Sequence, residues 1–468
     1  MIERNTKIEW EPSAKNQYLA VFTINFLGLA CGMGLGWTSP SILVLTSDES
    51  PLPSGKITME EASWITSLWS VGGLIGCMTF GFITSHFGRK WPLIFMIIPK
   101  TISWLLVLFA QNVYYLYISR IIFGIAVGGA TMIVPLFVSE IANKRIRGAL
   151  GATQILTVNF GTLLAFILGN SFDYYTTPTF LLILLFIFAI SFAFFPESPT
   201  VLVRQNRIAE AEKSIKFYQS LREGDNQRLR LEINQLKSSL CLLTTEKCDE
   251  NSFDWADLLT NPGRKALMIG ATLAMLIKLN GSTTMLSYGA KIFKALGSAV
   301  SPNVSVIVVG VAQLLGTFVT INLVDRAGRR FLYIASTIGT ALGLVTLGAF
   351  MVLKSWQYDV EFFNWIPIVS FSFIAFMASW ALLGLPFVVI SEIMPEKLKD
   401  FGATICQTLK WSLGFLIPKY FPILINLLGF HGTMFLFAFA CLFGTVFVIV
   451  FLPETKGKSR DQITNLLR

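Results

Sequence analysis

The 468-residue chain is 53% hydrophobic, with 40 Phe and only 14% charged residues, and its mean hydropathy is +0.62. That composition excludes an ordinary soluble domain and points to a membrane-embedded protein. The formal charge of +9 would fit a nucleic-acid partner only as a basic stripe with stacking aromatics, and neither pattern is present.

Residues 1–16 are polar and carry both signs, and no small-residue cleavage site follows the first apolar run, so no removable signal peptide is expected. Apolar runs then follow at 17–37, 62–84, 91–110, 113–137, 149–169 and 178–195. A second set lies at 265–290, 303–324, 330–353, 364–390, 401–425 and 432–452. Each is long enough to cross a bilayer, and a helix is the element that satisfies its own backbone there. The expected fold is an all-α membrane protein with twelve transmembrane helices in two six-helix bundles, 1–195 and 265–452. A helical linker, 196–264, joins them, and 453–468 forms a tail. In the linker, Ile208, Ala211, Ile215 and Tyr218, then Leu229, Ile233, Leu236 and Leu240, make apolar stripes at helical spacing. They predict two helices packed beneath the bundle.

Most of the 37 Lys and Arg fall in the termini and in every second loop, whereas Lys56, Lys291, Lys294 and Lys354 fall in the others. This asymmetry places both termini and the linker on the cytoplasmic side. Cys31, Cys77, Cys406 and Cys441 lie in spans and Cys241 and Cys248 in the linker, a placement that offers neither an extracellular disulfide nor metal-ligand spacing. Asn303-Val304-Ser305 is a glycosylation sequon on the outer side.

The chain also repeats itself. His86-Phe87-Gly88-Arg89-Lys90 returns as Arg326-Ala327-Gly328-Arg329-Arg330, Ser139-Glu140-Ile141 as Ser391-Glu392-Ile393, and Pro196-Glu197-Ser198 as Pro453-Glu454-Thr455. A membrane protein of two similar halves usually holds its site between them, reached from alternate sides. The chain therefore reads as a transporter. Arg89, Arg147, Arg326 and Arg329 share the cytoplasmic helix ends with Glu140, Glu197, Glu392 and Glu454. Such charges can pair across the halves when the inner side closes and part when it opens. The plainer reading is that they are solvated and fix topology. Arg120 lies within a span and should face protein or water, or snorkel. Gly124 and Gly128 beside it permit close helix packing. With His86 and His431 as the only histidines and no nucleophile-and-base pattern, no catalytic residue, metal or cofactor is expected.

Six motifs, in order, carry a family likeness: Gly36-Trp37-Thr38-Ser39-Pro40, Arg120-x3-Gly124-x3-Gly128, Pro135-x4-Glu140-Ile141-Ala142 with Arg147-Gly148, Pro196-Glu197-Ser198-Pro199, Asp325-Arg326-x-Gly328-Arg329-Arg330 and Pro453-Glu454-Thr455-Lys456-Gly457-Lys458. The chain resembles the sugar porters of the major facilitator superfamily, especially the insect facilitated trehalose transporter-like branch. The resemblance implies a multi-pass plasma-membrane protein that moves trehalose or a hexose by alternating access, with a monomer sufficient. It also assigns the acid-bearing Asp325 a part in the gating charges, whereas Ser85 replaces the equivalent acid in the first half. Helix 1 holds no Asp or Glu, and proton-coupled members need one there, so facilitated diffusion is expected.

The resemblance also marks a substrate site. Gln154 matches a sugar ligand and Trp411 is retained. The paired helix 7 Gln align with Ile277 and Lys278, and the Asn that follows aligns with Thr283. The helix 8 Asn aligns with Gln313, the helix 10 Trp with Phe387, and the Asn before Trp411 with Lys410. Amides suit sugars because each is both donor and acceptor without charge. Lys278 and Lys410 replace two of them with cations that cost about 2.5–3.5 kcal/mol each at mid-bilayer; Lys100 is a third lysine inside a span. Two readings stay open: a cavity for an organic anion or carboxylated solute, or lysines kept wet or neutral in a sugar cavity. A non-transporting membrane nutrient sensor is the reading from another class. A sensor should carry a long additional tail, and 453–468 is short.

Overall fold

The computed structural model describes residues 14–143, 145–221, 226–249, 260–297, 300–358, 361–395, 398–458 and 460–467. Among them the regular structure is helical. The first half contains α1 (Lys15–Gly36), α2 (Thr38–Leu45), α3 (Met59–Phe87), α4 (Lys90–Phe95), α5 (Ile97–Leu108), α6 (Val113–Ile141), α7 (Arg147–Ser171) and α8 (Thr176–Ala193). Helices α9 (Pro199–Arg204), α10 (Ile208–Gln219) and α11 (Asn226–Asp249) follow. The second half contains α12 (Asn261–Leu279), α13 (Ser282–Ser287), α14 (Gly289–Leu296), α15 (Pro302–Ala327), α16 (Arg329–Ser355), α17 (Ile366–Ala378), α18 (Pro386–Ile393) and α19 (Lys399–Phe451), before α20 (Arg460–Leu467).

Ten stretches among the described residues are helical, long and apolar enough to cross a membrane, and Ile366–Ala378 is a shorter apolar helix. One of the ten, Phe401–Phe451, runs for 51 residues. Gly429 interrupts it with φ 72° and ψ 168°, a conformation available to glycine because it lacks a Cβ. The chain turns back there.

Other spans are broken where hydropathy alone reads them as continuous. The run 265–290 divides into α12, α13 and α14, with Gly281 at φ 72° between the first two. Interrupting a helix frees backbone groups that lipid cannot satisfy. Asn280 covers them: its Nδ2 donates to Leu276 O and Ile277 O, both at 2.8 Å, and its Oδ1 accepts from Ser282 N at 2.9 Å.

Within the first half α3 packs on α6 and α1 on α7; within the second, α16 and α12 pack on α19 and α15 on α17. The α3–α6 contact is a glycine interlock. A Cβ on Gly124 would lie 2.0 Å from Trp69 O, and one on Gly128 2.1 Å from Gly73 O; from the other side, Gly72 and Gly76 meet Ile121 O and Ile125 O equally closely. Gly124 and Gly128 are thus packing residues, as their spacing predicts. Between the halves, α3 meets α19, α7 meets α15 and α2 meets α14.

The connecting helices form where the stripes place them. Ala211, Ile215 and Tyr218 of α10 are buried, as are Leu229 and Ile233 of α11. Asn16 and Gln17 at the start of α1 donate to Phe217 O (2.7 Å) and Tyr218 O (3.1 Å), tying α10 beneath the first half. The side chains of Ser85, Leu240, Cys241, Cys248 and Asp325 lie outside the described residues.

Candidate functional site between the halves

The duplicated charges converge at the helix ends nearest α9–α11 and α20. In the first half, Glu197 accepts from the backbone N–H of Arg89 (3.1 Å) and of Lys90 (3.0 Å), while the Arg89 guanidinium pairs with Glu140 at 3.1 Å. In the second, Glu454 accepts from the N–H of Arg329 (3.0 Å) and Arg330 (3.1 Å), and Arg329 pairs with Glu392 at 3.3 Å. Gly88 and Gly328, at φ 84° and 85°, let each acid approach: a Cβ on either would lie 2.6 Å from the carboxylate of Glu197 or Glu454. The Arg89–Glu140 and Arg329–Glu392 pairs each join groups of one half. Arg147 Nη2 donates to Ala142 O at 3.4 Å, again within its own half, and the backbone oxygen of Arg326 accepts from Lys456.

The two matched acids differ in electrostatics. Burial pushes the Glu197 carboxyl above its ordinary range, only partly opposed by the N–H groups of Ser198, Lys90 and Arg89. Burial also acts on Glu454, but N–H groups of Lys456, Arg329, Arg330 and Thr455 outweigh it and hold that carboxyl below its ordinary range.

At the opposite end the halves are joined directly. Tyr288 Oη lies 2.8 Å from Thr66 Oγ1, Ala290 N donates to Ser39 Oγ at 3.0 Å, Lys291 Nζ to Thr46 Oγ1 at 3.1 Å, and Lys419 Nζ to Ser63 Oγ at 3.0 Å. Toward the Arg–Glu end the halves part. A Cβ on Gly148 or Gly151 of α7 would meet nothing within 4 Å, and the side chains of Gln154 and Lys410 are partly exposed. The fold is closed at one end and open at the other.

The expected substrate residues lie at different depths along their helices. At 1.5 Å per residue, Lys410, Trp411, Gln313 and Lys278 lie roughly 17–26 Å along their helices from the Arg–Glu end, and Gln154 about 10 Å. Trp411 crosses between halves: its Nε1 donates to Cys77 Sγ at 3.2 Å, its ring meets Trp69 edge-on at 5.5 Å, and a Cβ on Gly73 would strike it. Lys410 Nζ stands 4.3 Å from the Trp411 ring centroid and 4.9 Å from that of Phe387; Lys278 Nζ stands 5.3 Å from that of Trp69. The structure thus brings Lys278, Phe387, Lys410 and Trp411 together.

Gln313 belongs to the other contact between halves. Its Nε2 donates to Asn159 Oδ1 at 3.2 Å, and Asn159 Nδ2 donates to Thr317 Oγ1 at 2.6 Å. Its own Oε1 is buried without a partner. Thr283 sits in α13, where its backbone oxygen accepts from Ser287; Gln154 stays nearer the open end. Neither joins the lysine cluster. Asn303 falls in the first turn of α15 with its Oδ1 buried.

Sequence reasoning passed over Asn159, Trp69 and Lys419. Asn159 and Trp69 are ordinary residues of apolar spans, and only contact across the halves singles them out. Lys419 carried the same signal as Lys278, a cation inside a span. Lys100 departs from the expectation of a wet lysine: fully buried in the first half, its Nζ donates to Leu27 O and Cys31 Sγ, both at 3.1 Å. Its backbone partner stabilises it away from the opening. Arg120 faces protein, with Nη1 donating to Gly34 O at 3.0 Å and the guanidinium 4.2 Å over the Trp37 ring.

Two duplicated helical halves, closed at one end around a polar mid-depth site, define a membrane carrier. Residues 20–467 match the family model described as "Sugar (and other) transporter", and the chain belongs to that family; it is a multi-pass membrane transporter rather than an enzyme. It is 30% identical over 447 residues to the facilitated trehalose transporter Tret1 of Bombyx mori, covering 96% of this chain and 86% of that protein. It is likewise 30% identical over 463 residues to Tret1 of Culex quinquefasciatus, at 97% and 86% coverage. Among solved structures, the inward-open xylose transporter XylE of E. coli superposes with a TM-score of 0.77 at 21% identity, over 96% of this chain and 99% of that one.

Proposed function

We propose that the protein carries a sugar-class solute across the plasma membrane by facilitated diffusion, using twelve spans. Counting Phe401–Phe451 as two of the spans and α17–α18 as one broken span supports that number. The halves are 1–195 and 265–452, with 196–264 and 453–468 at the cytoplasmic face beside both termini, in keeping with the cation distribution. The open Arg–Glu end then faces the cytoplasm. The observation that carries this reading is the one-sided contact between halves around a polar site of mid-membrane depth.

In this scheme Gln154, Thr283, Gln313 and Asn159 offer hydrogen bonds to hydroxyls, and Phe387 and Trp411 offer apolar faces. Arg89, Arg147, Arg326 and Arg329, with Glu140, Glu197, Asp325, Glu392 and Glu454, re-pair across the halves when the inner side closes. The within-half pairs Arg89–Glu140 and Arg329–Glu392 suit an open inner side. The names of the relatives make trehalose the first neutral solute to test. Uptake into proteoliposomes, measured for neutral and acidic sugars, should approach the external concentration and survive a protonophore. Accumulation above that level, abolished by the protonophore, would overturn facilitated diffusion. No uptake of any sugar would overturn the carrier assignment.

A further inference from the structure

The contact between α3, α12 and α19 has an unusual electrostatic character. Three lysines lie along it, each set against an indole: Lys410 at 4.3 Å from Trp411, Lys278 at 5.3 Å from Trp69 and Lys419 at 3.9 Å from Trp64. Lys419 has Ser63 at 3.0 Å and, at the closed end, Glu60 at 3.9 Å. Glu60 is 81% exposed, so solvent screens that pair strongly. Lys278 and Lys410 have ring faces alone: among the described residues, no carboxylate pairs with either ammonium and no hydrogen bond reaches it. Lys278 is only 8% exposed. A ring face offsets part of a cation's desolvation, but two lysines beside one pair of rings are left without a counter-charge.

The fold can satisfy a buried lysine, as Lys100 shows by donating to Leu27 O. It does not do so here. Positive charge in a narrowing, low-dielectric opening draws in anions, and an intramembrane cation without a protein partner marks a solute path. The α7–α15 contact lies at similar depth and is neutral: the Asn159–Gln313 amide pair, with Gln313 Oε1 buried and unpartnered. An unpaired buried acceptor suits a hydroxyl donor.

Resting on the carrier reading above, we infer that the native solute is an anionic sugar of the hexuronate class, its hydroxyls held by Asn159 and Gln313 and its carboxylate by Lys278 and Lys410. The solute's charge completes a site that is electrostatically incomplete when empty.

The test is initial uptake by the full-length protein in proteoliposomes, with radiolabelled D-glucuronate, D-glucose, trehalose, propionate and D-glucose 6-phosphate at equal concentration. Wild type should take up glucuronate at least tenfold faster than glucose or trehalose, and propionate no faster than empty vesicles. Lys410→Gln and Lys278→Gln should each lower glucuronate uptake at least tenfold and cut its lead over glucose by a similar factor. Lys410→Arg, which retains the charge, should keep most of the glucuronate rate. Neutral sugars moving faster than glucuronate would overturn the inference and leave the carrier reading standing, whereas no movement of any solute would overturn both. Propionate moving as fast as glucuronate would remove the hydroxyl requirement, and a preference for glucose 6-phosphate would replace carboxylate by phosphate. If the glutamine variants fail to insert, the wild-type selectivity series decides alone.

Discussion

Tyr288 of the second half holds its hydroxyl 2.8 Å from Thr66 Oγ1 of the first, while its ring stacks on Phe421 at 5.2 Å. The ring belongs to one half and the hydrogen bond crosses to the other. The same hydroxyl donates to Pro418 O of α19 at 3.0 Å, so one oxygen serves both the joint between the halves and the seat of this segment on α19.

Thr66→Val should remove the bond between the halves while leaving the Tyr288 hydroxyl on Pro418 O and its ring on Phe421. A buried hydrogen bond contributes about 0.5–1.5 kcal/mol net. Its loss should shift the balance between the two states roughly two- to tenfold toward opening at this end. Spin labels on Lys56→Cys and Lys294→Cys, which report on opposite halves, should show a larger long-distance population in the variant. Identical distance distributions would remove the Thr66–Tyr288 bond from the closure.

Gly124→Ala should be severe although it adds one methyl group. The new Cβ would lie 2.0 Å from Trp69 O, and backbone cannot retreat as a flexible side chain can. Separating α3 from α6 would break the packing on both flanks of the interlock, costing more than about 3 kcal/mol, beyond ordinary overpacking. Thermal unfolding in detergent should show the loss. Gly148→Ala, where a Cβ meets open space, is the control and should leave the midpoint nearly unchanged.

The matched acids should give opposite pH signatures. Glu454, held below its ordinary range by backbone N–H groups, contributes stability that is present above that range and lost as pH falls through its folded value. Glu197, pushed up by burial, pays for ionisation in the folded state, so stability falls as pH rises from the ordinary range to its folded value. Melting midpoints between pH 4 and 7.5 test this. The wild-type advantage over Glu454→Gln should grow with pH, whereas that over Glu197→Gln should shrink. Parallel slopes would show that the two duplicated sites do not differ as their surroundings imply.

Much of the architecture was legible in the chain because its causes are local or repetitive. Apolar runs of membrane length located the long helices, since lipid leaves a spanning backbone few alternatives. The duplicated Gly-Arg and Glu motifs located one end of the fold, and the structure gives them the same contacts twice. The stripes at Ala211, Ile215 and Tyr218 located the helix beneath the first half. The break at Asn280–Gly281 was missed: a hydropathy window registers side-chain polarity but not a left-handed backbone or an amide folded back onto freed carbonyls.

The candidate site was half legible. Lysines inside apolar spans announce themselves by their cost, but sequence does not distinguish Lys100, satisfied by Leu27 O and Cys31, from Lys278 and Lys410, set against rings between the halves. Nor does it pair Asn159 with Gln313 or Trp69 with Trp411, which lie in different halves and meet only once both have folded. Composition and periodicity determined that the chain spans a membrane as helices in two related halves. Which polar groups face the route between those halves was decided by tertiary structure, because the contacts that satisfy or strand a buried group come from distant parts of the chain.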